Sequence, residues 1–258
     1  MIGNGDIMNK NKTVIDDGFN PELVEGAMFD GIFEIPHVPA PNDIILPNCM
    51  VPYTKMKYSN NPKDFVVFYE HDIKFRDVIT SVKDHIEDFG KFSGIVNPDC
   101  SLYRDMPLTL QISNVYMSRA IGYYLWKRGL YSVPNIRWSD ERSYTTKYFP
   151  QPFAFLGADK NSIVSIGSYG CIKGNENAFH FKAGLAAMLD YLSPAVVLVY
   201  GPMPDSIFGE FIDRTKFVRF DDWITIKKRA ATFAMSLKES PIVEDGEIIG
   251  YETYSDII

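Results

Sequence analysis

Cysteine is scarce, long hydrophobic runs are missing and positive charge is in deficit, and each shortage closes off a class of protein. The three cysteines, Cys49, Cys100 and Cys171, are odd in number, far apart and form no C-x-x-C pair. Neither a disulfide framework nor a structural zinc site is supported, and reduced thiols in a cytoplasm are the simpler reading. The longest apolar run, Ala195 to Tyr200, falls far short of the ~20 residues that a membrane helix needs. The opening segment, MIGNGDIMNKNKTVIDDG, has no apolar core, so no signal peptide and no membrane partner are expected. With 26 Lys and Arg against 33 Asp and Glu, the formal charge is −7. Wholesale binding to nucleic acid, which usually demands a basic face, is disfavoured, although a local basic groove stays open. No internal repeat or low-complexity tract is found.

What is present is the composition of an ordinary globular protein, 46% apolar and 23% charged, which excludes global disorder. Residues 1–63 read as a polar tail followed by a proline-rich segment (Pro36, Pro39, Pro41, Pro47, Pro52, Pro62). Proline lacks the amide donor and fixes φ, so this segment should wrap the body rather than supply long elements. Residues 64–222 read as the core domain. Strands are predicted over Phe65–Tyr69, Phe92–Val96, Leu130–Ile136, Ser162–Ile166, Ala195–Tyr200 and Phe217–Phe220, as short apolar runs suited to burial on both faces. Pro134 places its residue near an edge or a bulge. Helices are predicted over Phe75–Phe89, Pro107–Arg128, Ser139–Tyr148, Glu176–Leu192 and Pro204–Ile212, with Ser139 as a cap and Gly129 as a stop. Residues 223–258 read as an appendage, a basic helix over Thr225–Lys238 and a hairpin around Asp245-Gly246.

Strands alternating with helices imply an α/β fold with a mainly parallel sheet. The absence of a glycine-rich first turn favours an incomplete or distorted TIM-like barrel, with the open doubly wound sheet as the alternative. Either way, ligands meet the chain at the carboxyl ends of the strands, and polar, charged and glycine residues gather there.

Asp72, Asp99, Asp105, Asp140 and Glu141 are candidate hard-oxygen ligands for magnesium or manganese, or acid–base groups. The competing role is capping of the following helices, favoured for Asp105 and open for Asp99, Asp140 and Glu141. Gly167-Ser-Tyr-Gly-Cys-Ile-Lys-Gly174 offers backbone amides to an anion, with Lys173 adding charge, but lacks the Walker A spacing and ending. Cys171 reads better as an inert thiol than as a nucleophile. Arg119 is expected to satisfy a carboxylate at the helix–sheet boundary, and Arg137 and Arg142 are candidate anion binders. Tyr103, Tyr116, Tyr123, Tyr124, Trp126 and Trp138 read mostly as core, and Lys227-Lys228-Arg229 as a solvated helix face.

Two long motifs carry a resemblance, Asn97-Pro-Asp-Cys-Ser-Leu-Tyr-Arg-Asp-Met-Pro-Leu108 and Val133-Pro-Asn-Ile-Arg-Trp-Ser-Asp-Glu-Arg-Ser143. With Lys160–Gly170 and Val197–Gly201, they resemble domain-of-unknown-function family 4417, found in bacteria, their phages and other mobile elements. The resemblance covers roughly residues 65–220 and brings no activity to transfer. It implies a prophage or mobile-element origin and a bacterial host cytoplasm. It also places Asp99, Ser101, Asp105, Trp138, Ser139, Asp140 and Glu141 in signature motifs.

The expectation is therefore an enzyme, a metal-assisted hydrolase or transferase acting on a nucleotide, nucleic acid or sugar phosphate. Asp99, Asp140 and Glu141 are its catalytic candidates, with Asp99 and Asp140 the candidate ligands of a magnesium or manganese ion. Arg137, Trp138, Ser101, Gly170 and Lys173 are its substrate-binding candidates. The alternative is a non-catalytic protein that captures a small molecule, a host protein or a phage protein.

Overall fold

The computed structural model describes residues 20–59, 61–229, 240–244 and 247–252. A short antiparallel pair, β1 (Phe29–Asp30) and β2 (Ile35–Pro36), leads in. The parallel strands follow: β3 (Met50–Pro52), β4 (Phe65–Val67), β5 (Gly94–Val96), β6 (Ser132–Val133), β7 (Ile163–Gly167), β8 (Val196–Tyr200) and β9 (Lys216–Phe220). They pair as β3-β4-β5-β6 and β7-β8-β9. A parallel bridge between Asn135 and Ser165 joins the two groups. The order follows the chain without the reversal that marks a doubly wound sheet. Among the described residues no ladder joins β3 to β9, so hydrogen bonding does not close the run into a barrel.

The strands are apolar throughout because both faces are covered. Phe65 and Val67 of β4 and Val196, Leu198 and Tyr200 of β8 point into one cluster to which every strand from β3 to β9 contributes. The alternate residues Val66 and Ile95 face outward onto α1 (Arg76–Ser81), α2 (Ile86–Phe89) and α3 (Leu108–Lys127). On the other flank Val164, Ile166, Val197 and Val199 pack on α5 (Asn175–Leu192) and α6 (Asp205–Phe208). The strands thus surround a shared interior, with helices outside.

Several sequence expectations need correction. The proline-rich segment does more than wrap, because Met50–Pro52 is the first parallel strand of the sheet. The helix predicted over Phe75–Phe89 is broken into 3₁₀ and α turns, since β-branched residues and a short span leave little intrinsic helix stability there. Pro134 does stand where expected, just past β6, the edge strand of the four-stranded group, at the seam with the three-stranded group. Lacking an N–H, it ends β6, while its carbonyl accepts from the Ser165 amide at 2.9 Å. The helix after β6 is α4 (Glu141–Tyr144), capped by Asp140 rather than Ser139. Nor does Asp105 cap α3, whose N-cap is Pro107.

Residues 223–229 are helical, and Lys227, Lys228 and Arg229 are exposed there as expected. Strands β10 (Ser240–Glu244) and β11 (Glu247–Glu252) pair antiparallel. Of the tail predicted over residues 1 to about 30, residues 20–30 dock on the body, with Leu23 buried in a 3₁₀ turn, while residues 1–19, the rest of the basic helix and the Asp245-Gly246 turn lie outside the described residues. No helix among the described residues is long and apolar enough to cross a membrane.

Candidate functional site

The carboxyl ends of β4 to β9 open into two adjoining cavities, of about 690 Å³ and about 450 Å³. Tyr103, Arg137, Gly167, Gly170 and Cys171 line both, so they are two lobes of one cleft. The larger lobe runs between the end of β6 and the start of α5, over Ile136, Ile166 and Phe181. The smaller sits over the strand interior, floored by Tyr69 and Tyr200.

At the junction stands an ion pair. Arg137 Nη1 donates to Asp99 Oδ2 at 2.9 Å, and Asn135 Nδ2 donates to Asp99 Oδ1 at 2.8 Å. Asp99 is 6% exposed. Burial pushes its carboxyl above the ordinary range, and the charge of Arg137 and the Asn135 hydrogen bond pull it back only in part. Burial is the largest influence on Arg137 and works against its charge, but Asp99 together with Cys171, Tyr103 and Asp72 outweighs it and the guanidinium is held charged.

The support behind this pair is buried. Tyr69 Oη donates to Asn135 Oδ1 at 3.0 Å and shares a 2.7 Å hydrogen bond with Ser165 Oγ. Arg119 lies behind Asn135 with 1% exposure. Among the described residues it meets no carboxylate, contrary to expectation. Its guanidinium donates to three carbonyls, Asn135 O at 2.7 Å, Leu156 O at 3.0 Å and Ala154 O at 3.4 Å. The carbonyl just past β6 and two from around the 3₁₀ turn Phe153–Phe155 need donors, and a planar fork supplies several at once. Burial without a carboxylate pushes its pKa down to about 10.

The other predicted residues divide. Ser101 lines the smaller lobe, and its amide and hydroxyl donate to Asp72 at 3.0 and 2.7 Å. Trp138 forms a wall of the larger lobe but belongs to the core beside α5, its indole donating to His180 O at 3.2 Å. A side chain at Gly184 would collide with that ring, so the glycine is what lets the indole lie against the helix. Gly170 lines both lobes at φ +76°, a conformation that favours glycine.

Asp140, Glu141 and Lys173 do not line the cleft. Asp140 Oδ1 caps α4 by accepting from the Arg142 amide at 3.1 Å, and its carboxylate holds the Arg142 guanidinium at 2.8–3.1 Å. Glu141 is half exposed, 4.0 Å from His180 Nδ1. Lys173 is exposed beside the start of α5. Asp99 and Asp140 are thus each committed to a different arginine, and among the described residues no group of three or more His, Cys, Asp or Glu could hold a metal ion. Cys171 faces Arg137, and burial pushes its thiol up, which does not favour a nucleophile.

Sequence reasoning missed Tyr69 and Asn135, and placed Tyr200 at a strand end without giving it a role. A signal existed for Tyr69, which continues the alternation of Phe65 and Val67 to the strand end. Asn135 was a polar residue in an otherwise apolar stretch, lying inside a quoted motif.

Comparison with known proteins sets this geometry in context. The family model described as Domain of unknown function (DUF4417) matches residues 27–221. The chain is 30% identical over 134 residues to the Gene 1 protein of Mycobacterium phage D29, covering 52% of this chain and 47% of that protein. It is 27% identical over 136 residues to the Gene 1 protein of Mycobacterium phage L5, covering 53% of this chain and 56% of that protein. The chain thus spans about half the length of the curated relatives it matches. No solved structure matches it.

Proposed function

The chain belongs to the family described as Domain of unknown function (DUF4417), and from that premise we propose an enzyme whose strand-end cleft acts on a phosphate-bearing small molecule. The reaction class is hydrolysis or group transfer on a nucleotide or sugar phosphate. Arg137 receives the anion, and Asp99 holds Arg137 in place and handles a proton. One observation carries the reading: a charged guanidinium, fixed on a buried carboxylate, stands where two cavities meet at the ends of parallel strands. Arg137 spends Nη1 on Asp99 and also hydrogen-bonds the Cys171 thiol, while among the described residues no second protein oxygen accepts from its guanidinium. Its remaining donors suit a phosphate or carboxylate. Asp99, with its carboxyl raised by burial, is placed to exchange a proton nearer neutrality than an exposed aspartate. The cleft falls almost wholly within the family-matched residues. The relatives are mycobacteriophage proteins, so the setting we propose is the cytoplasm of an infected bacterial host.

The test is a thermal-shift screen of the purified chain against nucleotides and sugar phosphates, with and without magnesium or manganese, followed by phosphate-release assays on every hit. A ligand at a hundred times its dissociation constant adds about 2.7 kcal/mol. Stabilisation that is lost in Arg137→Lys, with turnover lost in Asp99→Asn, supports the proposal. Stabilisation without turnover overturns the enzyme and leaves a non-catalytic binding protein. If no anion stabilises the chain, the cleft is not the site, and a host or phage protein partner becomes the better reading.

A further inference from the structure

The smaller lobe of the cleft gathers three basic side chains, Lys55, Lys74 and Arg137, against three acids, Glu70, Asp99 and Asp222. His71 lines it as well. Its acids are already engaged. Glu70 accepts from the Thr54 amide at 3.0 Å and the Thr54 hydroxyl at 2.7 Å. Asp222 accepts from the amides of Ile224 and Thr225, each at 3.1 Å, and Asp99 is held as described. The donors of Lys55, His71 and Lys74 are less spent. Lys74 has a 3.5 Å approach to Glu70, and among the described residues the side chains of Lys55 and His71 have no hydrogen-bond or ion-pair partner. Flexible ammonium groups around a cavity suit several phosphate oxygens at once.

The larger lobe is wider and mixed in character. Ile136, Ile166 and Phe181 supply apolar walls, and Arg104, Asp105, Ser139, Glu176, Asn177 and His180 supply polar and charged edges. Its volume, about 690 Å³, is in the range of small-molecule sites, ~300–1,000 Å³. Tyr103 is half exposed and lines both lobes, which offers a ring face to a planar group at the junction. A hexose phosphate has no large apolar part to fill this lobe. A ligand with a flat ring that has apolar faces and polar edges, joined to a polyanionic end, would match both.

We propose that the ligand is a nucleoside polyphosphate lying across both lobes, its phosphates on Lys55, His71 and Lys74, its innermost phosphate at Arg137, and its base and sugar in the larger lobe by Tyr103. This rests on the reading of the cleft given above and names its ligand.

The test is titration calorimetry on the full chain with ATP, GTP, CTP and UTP, a nucleoside monophosphate, inorganic tripolyphosphate and a hexose phosphate. The variants are Lys55→Gln/Lys74→Gln and Tyr103→Ala, none of these positions lying in the buried core, with circular dichroism to verify folding. The expected result is at least one triphosphate binding tenfold or more tightly than both its monophosphate and tripolyphosphate. The double variant loses tenfold or more for the triphosphate and changes the monophosphate affinity by less than threefold, and added salt weakens triphosphate binding less in it than in the wild type. Tyr103→Ala weakens the nucleotides and leaves tripolyphosphate unchanged. Binding of the hexose phosphate without any nucleotide overturns this inference while the proposed function stands. Equal affinity for tripolyphosphate and nucleotides overturns the two-lobed arrangement. Failure of every anion to bind overturns both.

Discussion

Tyr69 and Tyr200 stack with ring centroids 4.9 Å apart and planes 15° apart, although one follows β4 and the other ends β8. The contact crosses the strand interior, and it makes the floor of the smaller lobe from two residues 131 positions apart in the chain. Tyr200 Oη accepts from the Trp223 amide at 2.9 Å, which ties the residues after β9 to the same floor.

Tyr69→Phe keeps this stack but strips the hydroxyl from Asn135 and Ser165. Two polar groups then lose a partner inside the fold, and a loss of about 1–3 kcal/mol is expected. Urea denaturation gives the value. A change below about 0.5 kcal/mol would show that water replaces the hydroxyl.

Arg119→Leu leaves three carbonyls without their donor, and a loss on the order of 3 kcal/mol is expected in the same measurement. Arg119→Lys recovers little of it, because one ammonium cannot reach three carbonyls that a planar fork spans. Full rescue by lysine would mean that charge rather than geometry matters at this position.

Asp140→Ala removes the α4 cap and should cost about 1 kcal/mol. Asp140→Asn keeps a capping oxygen and loses the pairing with Arg142. In the wild type, burial opposes the Asp140 charge, but the Arg142 hydrogen bonds and charge outweigh it and hold the carboxyl below the ordinary range. A carboxyl lowered by folding contributes stability above its unfolded pKa, ~4, and loses it as pH falls through the folded value. Stability curves from pH 7 to pH 2 should therefore be shallower at the acid end in Asp140→Asn. Superimposable curves would remove the ion pair from the account.

Asp99 runs the other way. Burial raises its carboxyl, so its contribution is present below the unfolded pKa and is lost as pH rises through the folded one. Carboxyl-carbon NMR should place its midpoint above the ordinary ~3.9, and Arg137→Met should move it higher still by removing the neighbouring positive charge. A midpoint at or below the ordinary value would mean that the ion pair outweighs burial, and Asp99 would no longer suit proton transfer.

The alternation of apolar strands and helices is local information, because a strand buried on both faces must be apolar throughout and a long helix needs a sustained pattern. Leu108–Lys127 and Asn175–Leu192 were therefore legible, as was the concentration of polar residues after each strand. The broken helix over residues 72–89 was not, since weak local preference leaves packing to decide. Neither was the strand at Met50–Pro52, whose pairing partner Phe65–Val67 comes after a proline-rich stretch. The family resemblance too was legible, because two long motifs stand in the linear order of the chain. Which of the signature acids serve the cleft was decided only by the tertiary structure. Asp99 and Asp140 look alike in sequence, each within a motif after a strand. Folding buries one against Arg137 at the cleft and turns the other to cap a helix, because a carboxylate's role follows from which donors the chain brings within 3 Å of it. Distances of that kind, like the stacking of Tyr69 on Tyr200, exist only once distant strands have been laid side by side.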